Sequence, residues 1–340
     1  MSLPLVNTLF HPFYAGEFEY PGAEKTCLVF GAHRDFQKPA EFNAKWTFVQ
    51  SFKPDFAGLE KRGFDVRDSA PDETFDVALI LAGKHRGQNE RWLAQAVQHV
   101  KPDGLIVLAG GKTEGAASLR KRIESELPLG GHLSKNHGVV FWLKRSAEAD
   151  AFAQAVIAQQ QSLPLIDARF EAAPGMFSYE RIDIGSRLLA DNLPKQLHGV
   201  AADFCAGWGY LSVALAQQEA VARVDMFEAD RLALEAAERN MQRLAPAMEI
   251  SAHWCDLTSE KVERIYDLIV MNPPFHEGRA ADPLLGQSVI RTAAAALKPR
   301  GRLFMVANKG LPYEPLLKSM FASCDTLIED KGYRVYAAVR

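Results

Sequence analysis

The sequence predicts an α/β protein made of two similar domains in tandem, each an open sheet covered by helices. Three observations predict this fold class: a length of 340 residues, an alternation of strand and helix patterns, and an internal repeat. A chain of this length is too long for one ordinary domain and long enough for two that each bury a core without disulfides or a metal. Two α/β domains are therefore the starting hypothesis.

The internal repeat joins three features that occur in the same order in both halves. Each half has a buried strand opening with an aromatic residue and an aspartate, then a Lys-Pro turn before a second apolar strand, and finally a β-prone segment after a glycine. The matching segments are residues 75–83 and 266–274, 101–109 and 298–307, and 135–142 and 330–336. One match can occur by chance, whereas three in the same order indicate a duplication.

The segment from Ala147 to Gln161 separates the two halves. It is rich in alanine and glutamine and runs into Pro164, which predicts a connecting helix that ends before the proline. We therefore predict one domain at residues 1–160 and a second at residues 161–340.

The composition excludes several classes of protein. The chain is 48% hydrophobic and 24% charged, and it contains neither a basic leader nor an apolar run near the ~20 residues that span a bilayer. We therefore expect a cytoplasmic protein without a membrane partner. Its 39 basic and 42 acidic residues give a net charge of −3, so nucleic acid would have to bind to a local basic patch.

Cysteine usage argues against a metal site and against disulfides. The cysteines show neither Cys-x-x-Cys pairs nor histidines at a matching spacing. They are Cys27, Cys205, Cys255 and Cys324. We expect four reduced thiols and no metal.

A strand in the second half passes through a glycine turn into a helix. The turn, Asp203-x-Cys205-Ala206-Gly207-x-Gly209, is typical of a nucleotide cradle, because glycines let backbone pass close to a ligand and the first helical turn presents free N–H groups. We take these five residues as candidates for binding a cofactor. Two glycines alone are a weak signal, since a tight connection between a strand and a helix has the same pattern.

Acidic residues end the next two strands of this half. Glu228, followed by Ala229, comes about twenty residues after the glycine turn, where an acid can accept both hydroxyls of a ribose. Asp256, between Cys255 and Leu257, follows the third strand and is placed to accept the amino group of an adenine. Three successive strand ends of this kind form a nucleoside site in a doubly wound sheet.

Other interpretations of these acids stay open. Glu228 also fits a solvated turn before a helix, although Asp230 is the better candidate for the helix cap. Asp256 also fits a turn or a helix cap. A dinucleotide would use the same elements, but its full fingerprint has a third glycine where this chain has Ser212.

The fourth strand of this half ends at Asn272-Pro273-Pro274-Phe275, a tetrad that we take as the candidate catalytic motif, and Asn272 is also a candidate for binding the cofactor. The prolines carry no N–H, so the loop offers carbonyl oxygens and the Asn272 amide to a ligand that brings hydrogens. An exocyclic amine fits, because the Asn272 side-chain oxygen and the Pro273 carbonyl can accept its two N–H groups while Phe275 stacks on its ring. The alternative is a proline turn with Phe275 as a core residue, and His276 is interpreted as a surface residue or a proton relay.

Together these motifs resemble the class I S-adenosylmethionine-dependent methyltransferases that modify exocyclic amino groups. The likeness is most specific to the RsmC family of small-subunit ribosomal RNA guanine-N2 methyltransferases. It covers the second half in residues 174–178, 183–189, 272–278, 306–308 and 311–313. It implies two Rossmann-like domains, S-adenosylmethionine as the cofactor, and transfer of a methyl group to the N2 of a guanine in 16S RNA.

The resemblance also assigns residues ahead of the first strand of the second half. It implies that Phe177, Asp183, Gly185 and Ser186 line the cofactor pocket. The pattern of these residues is also typical of a helix N-terminus, with Asp183 and Ser186 opening a helix over residues 187–192.

The first half lacks both motifs. Residues 30–33 stand in place of the glycine turn, and residues 81–84 stand in place of the tetrad. By the resemblance, this half is a degenerate methyltransferase domain that helps to bind RNA and supports folding of the other. Candidates for RNA contact are Lys84, His85, Arg86 and residues 120–122, although the last cluster is also typical of a solvated helix face.

We therefore predict a monomeric N-methyltransferase whose partner is ribosomal RNA or the small ribosomal subunit. The target base has to leave its stack to reach Asn272. Because the tetrad recognises an amino group, methylation of a large-subunit guanine, of adenine N6 or of a protein glutamine stays open. A non-catalytic RNA-binding module is a further alternative, against which the intact motifs of the second half argue.

Overall fold

The computed structural model describes residues 3–274, 276–277 and 280–340, and the chain divides into two compact units. The first contains Met1–Leu163 and Ala173–Gly175, and the second contains Pro164–Ala172 and Met176–Arg340. The main division thus follows the connecting helix. The segment Ala173–Gly175 belongs to the first unit because Pro174 lies against Gly87.

The first unit is built on a sheet of seven strands. They are β1 Thr26–Phe30, β2 Lys45–Val49, β3 Asp65–Arg67, β4 Phe75–Leu81, β5 Val100–Gly111, β6 Gly131–Lys135 and β7 Gly138–Lys144. Their order is β3-β2-β1-β4-β5-β7-β6, and β7 runs antiparallel to both of its neighbours while the other pairs are parallel. Each face of the sheet buries its own apolar core, as a largely parallel sheet requires.

Helices supply the other side of each core. They are α1 Leu3–Leu9, α2 His11–Tyr14, α3 Lys53–Lys61, α4 Arg86–His99, α5 Ala116–Glu126 and α6 Ala147–Gln161, with a short 3-10 turn at Lys112–Glu114. The first three contribute to one core and the last three to the other. The connecting helix α6 spans its predicted residues, and Ser146 caps it by accepting a hydrogen bond from Ala149 N at 3.3 Å.

The second unit repeats this architecture. Its strands are β8 His198–Phe204, β9 Ala220–Glu228, β10 Glu249–Trp254, β11 Tyr266–Met271, β12 His276–Glu277, β13 Ala280–Ala281, β14 Leu297–Asn308, β15 Ser323–Asp330 and β16 Tyr333–Val339. Its helices are α7 Ile184–Asp191, α8 Tyr210–Ala216, α9 Arg231–Leu244, α10 Pro283–Ala296 and α11 Glu314–Met320. The main sheet has the order β10-β9-β8-β11-β14-β16-β15, and β12 and β13 form a separate antiparallel pair. The predicted duplication of an α/β sheet is confirmed.

An aspartate in the same place fastens each sheet. It follows the aromatic residue at the start of the fourth strand, accepts a hydrogen bond from the backbone of the first strand, and pairs with the lysine of the Lys-Pro turn. In the first unit, Thr26 N donates to Asp76 Oδ2 and Lys101 Nζ donates to Asp76 Oδ1, both at 3.0 Å. In the second unit, Val200 N donates to Asp267 Oδ2 and Lys298 Nζ donates to Asp267 Oδ1, both at 2.8 Å. The repeat seen in the sequence therefore extends to individual side-chain contacts.

Four loops leave the carboxyl edge of the second main sheet side by side. Phe204 pairs with both Met271 and Phe227, and Trp254 pairs with Glu228. The strand order changes direction between β8 and β11, and doubly wound sheets bind ligands at such a point. The motifs singled out in the sequence follow these strands, so the topology gathers them at one edge.

The described residues include no helix that is long and apolar enough to cross a bilayer. Nor do these residues contain three His, Cys, Asp or Glu side chains grouped to hold a metal ion. Cys27 and Cys255 are buried, Cys205 and Cys324 are half-buried, and all four are free thiols.

Candidate active site

The glycine turn follows β8 and opens α8. Cys205 and Gly207 have positive φ values of 61° and 54°, and Gly209, with a φ of 88°, directly precedes α8. A Cβ on Gly209 would lie 3.0 Å from the Cα of Ala237 in α9, so this glycine lets the two helices pack. A Cβ on Gly207 would meet nothing within 4 Å in the described part of the chain. Gly209 therefore serves packing, whereas Gly207 leaves space for a ligand beside the backbone.

Asp203 lies near the end of β8 and is fully buried. Its Oδ2 accepts a hydrogen bond from the Ser212 hydroxyl at 2.6 Å, whereas its Oδ1 has no hydrogen-bond partner among the described residues. Burial raises the pKa of Asp203 to about 7, and the charge of Glu228 adds to the rise. Since buried polar groups normally have partners, the open oxygen suits a ligand that brings a donor.

The raised pKa of Asp203 gives a testable dependence of stability on pH. The folded protein binds this proton more tightly than the unfolded chain, so the contribution to the free energy of unfolding is complete below about pH 4 and lost as the pH rises to about 7. Asp203→Asn should flatten this decline in urea unfolding of the cofactor-free protein between about pH 4 and pH 7. The exposed Asp325→Asn serves as the control, and parallel profiles for wild type and Asp203→Asn would contradict this assignment.

Glu228 ends β9, and its carboxylate binds the glycine turn. Its Oε2 accepts a hydrogen bond from Gly207 N at 2.7 Å, and its Oε1 accepts from Ala229 N and Asp230 N at 2.8 and 3.0 Å. Burial raises the pKa of Glu228. Asp230 is the predicted cap of α9, since its Oδ1 accepts from Leu232 N at 3.1 Å. The remaining acceptor position on Oε2 suits a ribose hydroxyl.

The end of β10 is fastened to the end of β9. Trp254 Nε1 donates to Ala229 O at 2.8 Å, and Cys255 N donates to Glu228 O at 3.0 Å. Sequence reasoning missed the role of Trp254, because a tryptophan in a strand usually contributes to a core. Its indole holds the backbone next to Glu228.

Asp256 closes a turn after β10. Its Oδ1 accepts hydrogen bonds from Thr258 N at 2.9 Å and Thr258 Oγ1 at 2.6 Å, and its Oδ2 accepts from Ser259 Oγ at 2.7 Å. This is the turn role that the sequence also allowed. Leu257 is buried in the same turn. A contact between Asp256 and an adenine is a proposal.

Asn272 follows β11 and binds two residues that precede β8. Its Nδ2 donates hydrogen bonds to Asp183 Oδ2 at 3.0 Å and to Ser186 Oγ at 2.9 Å. The same Asp183 oxygen accepts from Ser186 N at 2.8 Å and so caps α7. The helix interpretation of Asp183 and Ser186 is therefore correct, although α7 begins at Ile184 rather than Arg187. The helix α7 starts earlier because Asp183 caps it and so fixes its first turn.

The first turn of α7 packs closely against β16. A Cβ on Gly185 would lie 2.9 Å from the ring of Tyr333, so only a glycine allows this approach. Gly185 is itself buried. The contact fixes the helix end that carries Asp183.

The remainder of the tetrad is described only in part. Pro273 is buried and Pro274 is exposed, while Phe275 lies outside the described residues. The loop continues into the pair formed by β12 and β13. The stacking role of Phe275 therefore stays a prediction.

Trp208 lies between the two glycines of the turn and is buried. Its ring packs against Phe170 and Tyr210 at centroid distances of 5.3 and 6.0 Å. Its Nε1 donates to the carbonyl of Phe177 at 2.9 Å, while the Phe177 side chain is 59% exposed. Trp208 thus connects the backbone at Phe177 to the glycine turn by a hydrogen bond.

Asn240 is a second residue that sequence reasoning missed. It is fully buried on α9, and its Nδ2 donates to Trp208 O at 2.8 Å and to Glu171 O at 2.9 Å. Its Oδ1 accepts from Glu171 N at 2.8 Å. A polar residue on the apolar face of a helix was the available signal, because such residues need buried partners.

Comparison with known proteins identifies the family. The model of the methyltransferase small domain matches residues 167–337, about half of the chain. A relative from Pseudomonas aeruginosa (strain LESB58), named ribosomal RNA small subunit methyltransferase C, is 31% identical over 281 residues, 82% of this chain and 82% of its own. The chain belongs to the ribosomal RNA small subunit methyltransferase C family. An identically named relative from Shewanella halifaxensis (strain HAW-EB4) is 28% identical over 273 residues, 79% of each chain.

A solved structure related to this RsmC-family chain has the same fold. It is the T. thermophilus 16S rRNA N2 G1207 methyltransferase (RsmC), in complex with AdoMet and guanosine. The two structures superpose with a TM-score of 0.75 at 23% sequence identity, covering 99% of this chain and 91% of the other. The predictions of a methyltransferase and of two tandem Rossmann-like domains are confirmed.

The first unit of this RsmC-family chain keeps the sheet without the site residues. Gln50, directly after β2, has the position that Glu228 has at the end of β9, and its Nε2 donates to Ala32 O at 2.6 Å. Asn89 binds both backbone groups of Gly83, in the segment that replaces the tetrad, at 2.8 and 2.9 Å. At the edge of the first sheet that corresponds to the candidate site, Gln50 and Asn89 therefore form hydrogen bonds within the protein.

The basic residues proposed to contact RNA in this unit include several that form ion pairs. Arg122 Nε lies 2.7 Å from Glu90 Oε1, and Arg120 Nη1 lies 2.6 Å from Glu124 Oε2. Arg86 Nε lies 3.7 Å from the same Glu90 oxygen. Each pair has one largely buried side chain, Glu90 at 10% exposed in two of them and Arg120 at 15% exposed in the third, so a phosphate would have to displace a partly buried partner. Contact with RNA stays a proposal.

Proposed function

We propose that the protein transfers the methyl group of S-adenosylmethionine to the exocyclic N2 of a guanine in 16S ribosomal RNA. The position of Asn272 carries this proposal. Asn272 follows β11 beside the glycine turn of β8, and its amide nitrogen is bonded to Asp183 and Ser186. Its side-chain oxygen is therefore the group available to a substrate, and it requires a donor such as an amine.

The second unit fits the proposed cofactor at three points. Gly207 leaves open space beside the backbone, Asp203 has an acceptor oxygen without a partner among the described residues, and Glu228 ends the next strand with a half-buried carboxylate. We assign Glu228 to a ribose hydroxyl and Asp203 to the donor groups of the amino acid part. The other proposed pocket residues are Cys205, Ala206, Gly209, Ala229, Cys255, Asp256, Leu257, Phe177, Asp183, Gly185 and Ser186.

The reaction requires a weak nucleophile to be held in one orientation. An exocyclic amine delocalises its lone pair into the base, so Asn272 Oδ1 and the Pro273 carbonyl accept its N–H groups and direct the lone pair. When bound, the sulfonium supplies the methyl group, whose bond to sulfur breaks as the bond to nitrogen forms. The extra proton on the amine then passes to water. A base flipped out of its stack can reach this edge.

The names of relatives support the choice of substrate. Curated relatives are named for the small ribosomal subunit RNA, and the T. thermophilus enzyme was solved with AdoMet and guanosine. We assign catalysis to the second unit, and RNA binding and structural support to the first. All of the proposed catalytic residues lie in one unit of one chain, so we propose a monomer that acts on ribosomal RNA in the cytoplasm.

The test of this function is direct identification of the methylated nucleoside. The full chain is incubated with labelled S-adenosylmethionine and either small ribosomal subunits or stripped 16S RNA, and the RNA is then digested and separated. We expect label in N2-methylguanosine, with Asn272→Ala as the inactive control. Label in N6-methyladenosine, or in protein glutamine, would contradict the proposed substrate.

We expect each chain to bind one molecule of S-adenosylmethionine. The first unit has Gln50 in place of Glu228, and Asn89 bonds back to the segment that replaces the tetrad. Titration calorimetry should therefore give one site per chain, and Glu228→Ala should weaken that site. Two equivalent sites per chain would show that the first unit also binds cofactor.

A further inference from the structure

The side-chain amide of Asn272 is held in a single orientation. A carboxylate accepts hydrogen bonds and cannot donate, so the atom of Asn272 that lies 3.0 Å from Asp183 Oδ2 must be the amide nitrogen. Ser186 Oγ lies 2.9 Å from the same nitrogen and takes the second hydrogen. Both donors of the amide are thus used within the protein.

We propose that Asp183 and Ser186 are positioning residues that present Asn272 Oδ1 as a fixed acceptor and thereby restrict the substrate to atoms that carry hydrogen. We call Asp183, Ser186 and Asn272 the amide clamp. The inference rests on the proposed function and adds a basis for its specificity. A carbonyl oxygen or an unprotonated ring nitrogen brings only lone pairs and finds no donor on Asn272. An exocyclic amine brings two hydrogens and fits.

The surroundings of the amide clamp keep it rigid. Asp183 Oδ2 also accepts from Ser186 N at 2.8 Å, so the same oxygen caps α7 and holds Asn272. Ser186 is 8% exposed, and the ring of Tyr333 lies against Gly185 between the two clamp residues. Rotation of the Asn272 amide would place its oxygen against a carboxylate, which is unfavourable.

Replacing the clamp residues one at a time tests their effect on the reaction. Asp183→Ala and Ser186→Ala should each lower kcat about tenfold, and the cofactor Kd and the KM for RNA should change by smaller factors than kcat does. Asp183→Asn should lower kcat less than Asp183→Ala does, because asparagine keeps an acceptor oxygen and caps a helix equally well. Ser146→Ala, which removes the cap of α6, and the exposed Ser319→Ala are the controls for stability.

A double variant tests whether Asp183 acts on Asn272 or only caps α7, because the two roles predict different changes in activity. Asn272→Asp places a second carboxylate about 3 Å from Asp183, and the two like charges should disrupt the site. Adding Asp183→Asn removes the repulsion, so it should raise the activity of Asn272→Asp by about tenfold or more. A residue that only caps α7 would give no rescue.

A measurement without substrate separates the amide clamp from the proposed function. The side-chain ¹⁵N amide signals of Asn272, identified by their loss in Asn272→Ala, should exchange with solvent more slowly in wild type than in Ser186→Ala. Slow exchange without methylation of guanine would retain the clamp and overturn the proposed function. Equal exchange in the two proteins, absence of rescue, or a cofactor Kd that changes in step with kcat would overturn the clamp.

Discussion

Replacing Asn272 with alanine should lower kcat for methyl transfer by about 10²- to 10³-fold while the Kd of S-adenosylmethionine stays within about threefold of wild type. The substitution removes the acceptor that orients the amine. It leaves Glu228 on the glycine turn and Asp203 on Ser212, because neither contact involves Asn272. Single-turnover transfer of labelled methyl measures the first quantity, and calorimetry measures the second.

The control for Asn272→Ala is Asn43→Ala, an exposed asparagine of the first unit. It should leave both kcat and Kd unchanged. If Asn272→Ala transfers methyl groups at the wild-type rate, the assignment of the tetrad is wrong. If it instead abolishes cofactor binding, Asn272 belongs to the cofactor site rather than to the substrate site.

Glu228→Ala should raise the Kd of S-adenosylmethionine by about 10²-fold or more, the second large effect that the structure predicts. The variant loses the proposed ribose contact, and hydrogen bonds to charged groups contribute about 1.5–3 kcal/mol each. It also leaves Gly207 N, Ala229 N and Asp230 N without their acceptor, which loosens the glycine turn. Calorimetry on the full chain measures the change.

Two further variants show whether the carboxylate at position 228 acts through its charge. Glu228→Gln keeps an acceptor oxygen without the charge and should give an intermediate Kd. Glu219→Ala removes an exposed acid just before β9 and should leave the Kd unchanged. A Glu228→Ala protein that binds cofactor as tightly as wild type would exclude the ribose contact.

The sequence predicted those features that depend on residues close together in the chain. The turn from Asp203 to Gly209, the cap at Asp230 and the helix from Ala147 to Gln161 all follow from local spacing and residue type. The duplication was visible because the aspartates and Lys-Pro turns recur in the same order. These patterns were sufficient for the fold and for the edge of the sheet that carries the site.

Contacts between distant segments were not predictable from such patterns. Asn272 and Asp183 are 89 residues apart, and no motif joins them until the sheet and α7 are assembled. Arg122 and Glu90 are 32 residues apart, so a basic cluster in the sequence turned out to include ion-paired cations. The packing of Trp208 was not predictable either, because its partner Phe170 lies far ahead of the glycine turn in the sequence.

Asp76 and Asp267 show which part of each half has been retained. Both aspartates bind the first strand and the lysine of the turn, although only the second unit has Glu228 and Asn272. The protein therefore contains a second copy of the sheet that lacks the glycine turn and the tetrad. Residues common to both copies are candidates for a role in folding, and motif residues confined to the second are candidates for a role in catalysis. Comparing the two units of one chain thus separates candidate folding residues from candidate catalytic residues. Comparisons between active enzymes do not separate them, because every copy has to meet both requirements.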